Sequence, residues 1–305
     1  MSEERLRILV TGSKGQLGNE LKRCLDTMES EIGPVPSEYA HADVEYVDYD
    51  VLDITDEGQV RAFFEEFDPD IVMNCAAFTN VDGCESDEAA AYAVNSEGPR
   101  NLASACLANG AKLVHVSTDY VFPGNEPGER VETDPVGPLS AYGRTKLAGE
   151  QAVAEGMERF FIVRTAWLYG YVGRNFVKTM RRLGESRDSV TVVDDQLGNP
   201  TSANDLAHEM LRLALTDDFG TYHCTNEGTV SWAGFAKAIM EGFGLDCEVI
   251  PVTSAQYKEA NPASADRPAF SSLRNAHLAS TIGDDMRGWE EALASYIELY
   301  PELAE

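Results

Sequence analysis

Residues 6–18 read LRILVTGSKGQLG, and the fold turns on how that stretch is punctuated. LRILV (6–10) is a short, mostly apolar run of the kind a strand buried on both faces needs. It breaks into a turn carrying Gly12, Gly15 and Gly18, after which QLGNELKRCLDTM (16–28) spaces its apolar residues as an amphipathic helix does. A glycine turn between strand and helix lets the backbone approach a pyrophosphate, while the helix N-terminus offers free N–H donors and a favourable dipole. Glycine triplets also build plain tight turns, but the position at the first strand-to-helix junction favours a dinucleotide site. Gly12, Gly15, Gln16, Leu17 and Gly18 are then the candidate cofactor contacts.

Working outward, the alternation persists. VEYVD (44–48) precedes EGQVRAFFEEF (57–67), and DIVMNCA (70–76) precedes a helical stretch over 86–110. KLVHVS (112–117) precedes YGRTKLAGEQAVAEG (142–156), and FFIVRT (160–165) follows. Short apolar runs between helical segments predict βαβ units and an α/β, Rossmann-type doubly wound parallel sheet. After about residue 170 the rhythm loosens into helices at 175–186, 203–215, 231–243 and 285–300, with strands at 190–195, 220–226 and 248–252. The expected organisation is a dinucleotide-binding domain over 1–170, to which 201–226 returns, and a smaller α/β substrate-binding cap from 171–200 and 227–305.

The charge is extreme: 24 basic and 52 acidic residues leave −28 over 305 residues. Such a field repels nucleic acid and anionic lipid, which excludes both as partners. The acid is spread along the chain, as in salt-adapted proteins whose self-repulsion is screened by their solvent. No apolar run approaches the roughly 18 residues of a membrane span. MSEERLRILV lacks a signal peptide's long apolar stretch, so a cytoplasmic protein is expected. The six cysteines are scattered with no CxxC pair or histidine cluster, which predicts core thiols and no metal site. His115 and His223 fall in strand patterns and read as core residues, whereas His208 reads as solvent-facing on its helix.

Other candidates cluster where an open α/β sheet binds ligands, at the strand ends. Asp48 closes the second strand and can accept from adenosine ribose hydroxyls; with Tyr49 beside it and no neighbouring basic residue in sequence, NAD is favoured over NADP. Asp53 and Ile54 can bracket the adenine, and the small Ala76 and Ala77 leave room for the phosphate–ribose path. Tyr142 and Lys146, four apart, share one helix face. A phenol is a poor proton donor–acceptor at neutrality, and an ammonium beside it would lower its pKa. Lys146 can also hold the nicotinamide ribose. Thr118, at the end of KLVHVS, can hydrogen-bond a substrate carbonyl. Together the three predict a proton-and-hydride site.

The blocks TGSKGQLG, LDITD, DIVMNCAAFTNVDGCE, HVSTDYVFPG, AYGRTKLAGE, RTAWLYG, NFVKTM and DQLGNPT, in this order, resemble the dTDP-4-dehydrorhamnose reductase family of extended short-chain dehydrogenases. The resemblance implies NAD(P)H-dependent reduction of the 4-keto group of a nucleotide-linked 6-deoxy sugar. It makes Tyr142 the proton donor, Lys146 its partner and Thr118 the tuning hydroxyl. Asp119 and Trp167 would contact the sugar, while Asn175, Gln196 and Arg267 would stand near the nucleotide. It also implies a homodimer, bridged in some members by magnesium, although no set of carboxylates stands out as a site for that ion. An epimerase or dehydratase of the same superfamily, or a non-catalytic NADP-binding regulatory subunit, remain alternatives.

Overall fold

The computed structural model describes residues 5–303. Its longer strands are β1 (Arg7–Thr11), β2 (Asp43–Val47), β3 (Ile71–Asn74), β4 (Lys112–Thr118), β5 (Phe160–Thr165), β6 (Ser189–Val193), β7 (Gly220–His223) and β8 (Glu248–Val252). Six of them form one parallel sheet in the order β7-β5-β4-β3-β1-β2. The chain therefore leaves β1 for β2 on one side and crosses back to β3 on the other. That reversal opens a crevice at the carboxyl ends of β1 and β3.

The longer helices are α1 (Gln16–Thr27), α2 (Glu57–Phe67), α3 (Gly98–Asn109), α4 (Ala141–Gly156), α5 (Phe176–Gly184), α6 (Ala203–Ala214), α7 (Trp232–Gly242) and α8 (Trp289–Leu303). Alternation along each strand sorts them into layers. Ile8 and Val10 face Leu17 and Leu21 of α1 and Leu206 and Met210 of α6. Leu9 points the other way, toward Val60 of α2, Leu102 of α3 and Val153 of α4. A separate apolar cluster joins Val177 of α5, Val190 of β6, Phe235 and Ile239 of α7, Val249 of β8, and Trp289 and Tyr296 of α8. There β6 and β8 pair in parallel, apart from the main sheet. Among the described residues no helix is long and apolar enough to cross a membrane. None of the six cysteines is paired; five are buried and Cys75 is half-buried.

Three expectations need correction. The stretch 86–110 is not one helix: Val81–Ser86 is a helix of its own, Asp87 caps Glu88–Tyr92, and Ala93–Glu97 forms a π turn before α3. The widened turn seats the buried Asn95, which accepts from the Phe78 N–H at 2.8 Å and donates to the Phe78 carbonyl and the Thr145 hydroxyl, both at 3.1 Å. Between α1 and β2, where no strand is expected from the sequence, the chain forms a small hairpin, Glu29–Ser30 with Gly33–Pro34. That hairpin covers His208, which is buried with Nδ1 2.8 Å from the Ser30 hydroxyl instead of facing solvent.

The hairpin also carries Glu31, the hub of a buried ionic network. One Glu31 oxygen accepts from Arg23 of α1 and from the Tyr171 hydroxyl, both at 2.9 Å. The other accepts from Arg287 at 2.9 Å and from the Ser295 hydroxyl of α8 at 2.8 Å. Arg287 also pairs with Asp205 of α6 at 2.9 and 3.0 Å, and Arg23 with Glu20 at 2.8 Å. Nearby, ligand-type atoms of His208, Glu209 and Asp285 lie within 4.8 Å of one another. Arg212 already supplies the cation there, 2.8 Å from Glu209 and 2.5 Å from Asp285.

Candidate active site

A cleft of about 740 Å³ runs along the carboxyl ends of the strands. At one end, Gly12 has φ +65°, and a Cβ there would fall 2.6 Å from the Ala76 amide nitrogen. Only glycine lets the turn after β1 cross the end of β3 so closely. At Gly18 a Cβ would lie 2.5 Å from the Gly12 carbonyl, so the turn folds tightly back onto α1. Gly15 is the N-cap and no side chain caps α1, which leaves its first-turn N–H groups facing the cleft mouth. These features fit a pyrophosphate. Gly12, Gly15, Gln16, Leu17, Gly18, Asp48, Asp53, Ile54, Ala76 and Ala77 all line the cleft.

Asp48 does not stand free of basic neighbours. Its Oδ2 accepts from the Lys14 backbone N–H at 3.0 Å, and the Lys14 ammonium pairs with Asp50 at 2.7 and 2.8 Å. The strand register brings Lys14 here from 34 residues away. Asp53 is turned to its own loop, accepting from the Thr55 N–H at 2.9 Å and hydroxyl at 2.7 Å. Ile54 is buried against Gly98, where a Cβ would come within 2.6 Å of it.

Midway along the cleft, α4 sets Tyr142 and Lys146 against the end of β4. The Ser140 hydroxyl caps α4 by accepting from the Gly143 N–H at 3.1 Å. Close packing follows from two glycines: a Cβ at Gly143 would lie 2.3 Å from the Tyr120 carbonyl, and one at Gly149 would lie 2.1 Å from the Asn95 carbonyl. Tyr120 meets Tyr142 edge-on at 5.4 Å. The Thr118 hydroxyl donates to Asp119 Oδ1 at 2.8 Å and accepts from the Tyr120 N–H at 3.2 Å.

Burial pushes the Tyr142 phenol up, and the Thr118 hydroxyl is the group that pulls it back. The Lys146 ammonium is turned to the Val116 carbonyl at 2.6 Å and is not a leading influence on the phenol, contrary to the sequence expectation. Burial lowers Lys146 itself to about 8. Asp119, also buried, is raised to about 6 by desolvation, against the pull of the Ser271 and Thr118 hydroxyls.

The remaining candidates divide. Trp167 and Asn175 line the cleft. Asn175 is fully committed, capping α5 through the Lys178 N–H at 2.9 Å and donating to Gln16 at 2.9 Å and to the Gly170 carbonyl at 2.7 Å. Gln196 and Arg267 are not among the lining residues. Gln196 donates to the Ser254 hydroxyl at 2.9 Å, and Arg267 leans toward Asp82 at 3.7 Å. Three lining aromatics escaped the sequence reading, Phe78, Tyr120 and Trp232. Tyr120 sat inside the quoted STDYVF block; Trp232 read only as part of a core helix.

A phosphate-ready turn and a Tyr–Lys–Thr group in one cleft define an α/β oxidoreductase built for a nicotinamide dinucleotide. The family described as "RmlD substrate binding domain" matches residues 6–301. The dTDP-4-dehydrorhamnose reductase of Streptomyces griseus is 43% identical over 306 residues, covering 98% of this chain and 94% of that protein. A solved dTDP-4-dehydrorhamnose reductase from Clostridium acetobutylicum superposes with TM-score 0.90 at 44% identity, over 97% of this chain and all of the other. Another, from Bacillus anthracis in complex with NADP, superposes with TM-score 0.89 at 39% identity, over 97% and 99% of the two chains. The chain belongs to the dTDP-4-dehydrorhamnose reductase family.

Proposed function

We propose that this chain reduces the 4-keto group of dTDP-4-dehydrorhamnose to give dTDP-L-rhamnose. The observation that carries the reading is the convergence of Tyr142, Thr118 and Lys146 in the cleft that also holds the uncapped glycine turn. When bound, a reduced nicotinamide supplies the hydride that the carbonyl carbon accepts. The chain's own residues handle the proton. Burial keeps Tyr142 protonated until the developing alkoxide, a stronger base than phenolate, draws the proton away. The Thr118 hydroxyl, which donates to Asp119, can turn its single proton to the phenol oxygen as charge develops there. Lys146, near 8, carries its charge at neutral pH and is assigned to the nicotinamide ribose hydroxyls.

Asp119 and Trp167 are placed on the sugar, with residues 171–200 and 227–305 acting as the substrate-binding cap over 1–170 and 201–226. Gln196 and Arg267, which here meet Ser254 and Asp82, are assigned to the nucleotide end of the substrate. NADH is favoured over NADPH, because a 2′-phosphate beside Asp48 and Asp50 meets two carboxylates and a Lys14 already paired to one of them. The acid-rich surface suits a cytoplasm at high salt.

The test is oxidation of NADH and NADPH with dTDP-4-dehydrorhamnose at molar salt, paired with Tyr142→Phe. The wild type should consume reductant in proportion to sugar. The variant should lose about 10³-fold in turnover while its NADH affinity stays within roughly twofold. Reductant consumption that does not depend on the sugar, or a fully active variant, defeats the reading.

A further inference from the structure

Trp167 and Trp232 lie face to face in the cleft, with ring centroids 3.5 Å apart and planes 7° from parallel. They arrive from distant parts of the chain, and several features serve to bring them together. Trp167, two residues past β5, sits at φ +46°, in the left-handed region that a bulky side chain rarely adopts. Its carbonyl is held by the Thr201 N–H at 3.3 Å. Gly198 lies so near the indole that a Cβ would fall 2.5 Å from Cε2. Gly198 pairs with Val230 and Leu197 with Ser231 in a two-residue antiparallel ladder, and Trp232 follows directly. One ladder thus carries both the glycine that makes room for Trp167 and the ring that covers it. Ser231 fixes the start of α7, accepting from the Gly234 N–H at 3.0 Å and donating to Asp194 at 2.5 Å. Phe176 backs Trp232 at 4.5 Å.

Strained backbone persists where the surroundings impose it, and it concentrates at ligand sites. We infer that Trp232 is a positioning residue. By stacking on Trp167 it holds that indole as a rigid apolar wall, against which the C–H side of a deoxy sugar is seated. This rests on the functional reading above, because the seat matters only if the sugar binds here. Truncating Trp232 frees the Trp167 ring, and the loss falls on substrate binding more than on the chemical step.

The experiment uses the full chain with Trp232→Leu and Trp232→Phe. The chain has three tryptophans, and Trp289 meets Phe235 edge-on at 5.8 Å while Trp167 and Trp232 stack on each other, so an exciton-coupled circular dichroism band reports the Trp167–Trp232 stack. That band should be present in the wild type and lost in both variants. The leucine variant should raise KM for dTDP-4-dehydrorhamnose about 10-fold, with kcat and NADH affinity each held within roughly threefold, and phenylalanine should restore most of KM. Loss of the band with KM unchanged overturns the inference, leaving the stack as packing alone. So does a parallel fall in NADH affinity, which marks general loosening. A wild type that oxidises no NADH with this sugar defeats the functional reading, and this inference with it.

Discussion

Two regions of the molecule bury charge in opposite ways. Around Glu31, three carboxylates and two guanidiniums meet in a network that leaves each with partners near 2.9 Å. In the cleft, Lys146 is buried with only a backbone carbonyl, and Asp119 with the Thr118 and Ser271 hydroxyls beside it but its Oδ2 left without a partner. Paired burial offsets its own desolvation, and its loss strands a partner. Sparsely paired burial is an uncompensated cost, which a protein retains where the group has work to do. The first region ties α1, α6 and α8 together. The second holds chemistry in reserve.

The contrast can be broken by removing charges one at a time. Arg287→Met should destabilise by about 3–5 kcal/mol in denaturant unfolding, because Glu31 and Asp205 lose a shared cation. Little or no loss would show that the network is loose. Lys146→Met should do the reverse, adding up to about 3 kcal/mol while abolishing turnover. The sign follows from linkage. The native lysine, near 8, releases its proton before the unfolded one at 10.5, so the penalty is full below pH 8 and fades as pH rises toward 10.5. The variant's advantage should shrink over that window.

Asp119→Asn should also stabilise, by up to about 3 kcal/mol. The native carboxyl holds its proton to about 6 against 3.8 when unfolded, so wild-type stability falls between pH 4 and 6 and is flat above. The variant should lack that fall. The smallest effect is expected at the exposed rim. Asp50→Asn frees Lys14 from an ion pair open to solvent, and should shift the NADPH-to-NADH affinity ratio toward NADPH by roughly twofold, less at high salt.

What the sequence disclosed, and what it hid, follows the range of the contacts involved. The glycine turn, the strand rhythm and the Tyr142–Lys146 spacing are local patterns, and each survives in three dimensions. Lys14 escaped notice beside Asp48 because only the β1–β2 register joins them. His208 was misjudged because the hairpin covering it has two-residue strands, too short for periodicity to reveal. Trp232 looked like any core aromatic of α7 until Gly198 and the twisted Trp167 backbone showed what it covers. Asn175 illustrates the opposite limit: its position beside the cleft was legible, but its three hydrogen bonds to the protein were not.

The sheltered sulfur atoms give the molecule a built-in stopwatch. Burial pushes the thiol of Cys24 up to about 12 and that of Cys84 up to about 11, so at neutral pH the folded chain presents almost no thiolate there. A disulfide-exchange reagent must therefore wait for each compartment to breathe. Cys24 lies on the buried face of α1, Cys106 on the opposite side of the sheet and Cys247 in the C-terminal cluster. The sequence in which they take up label would time, layer by layer, which part of the architecture lets go first.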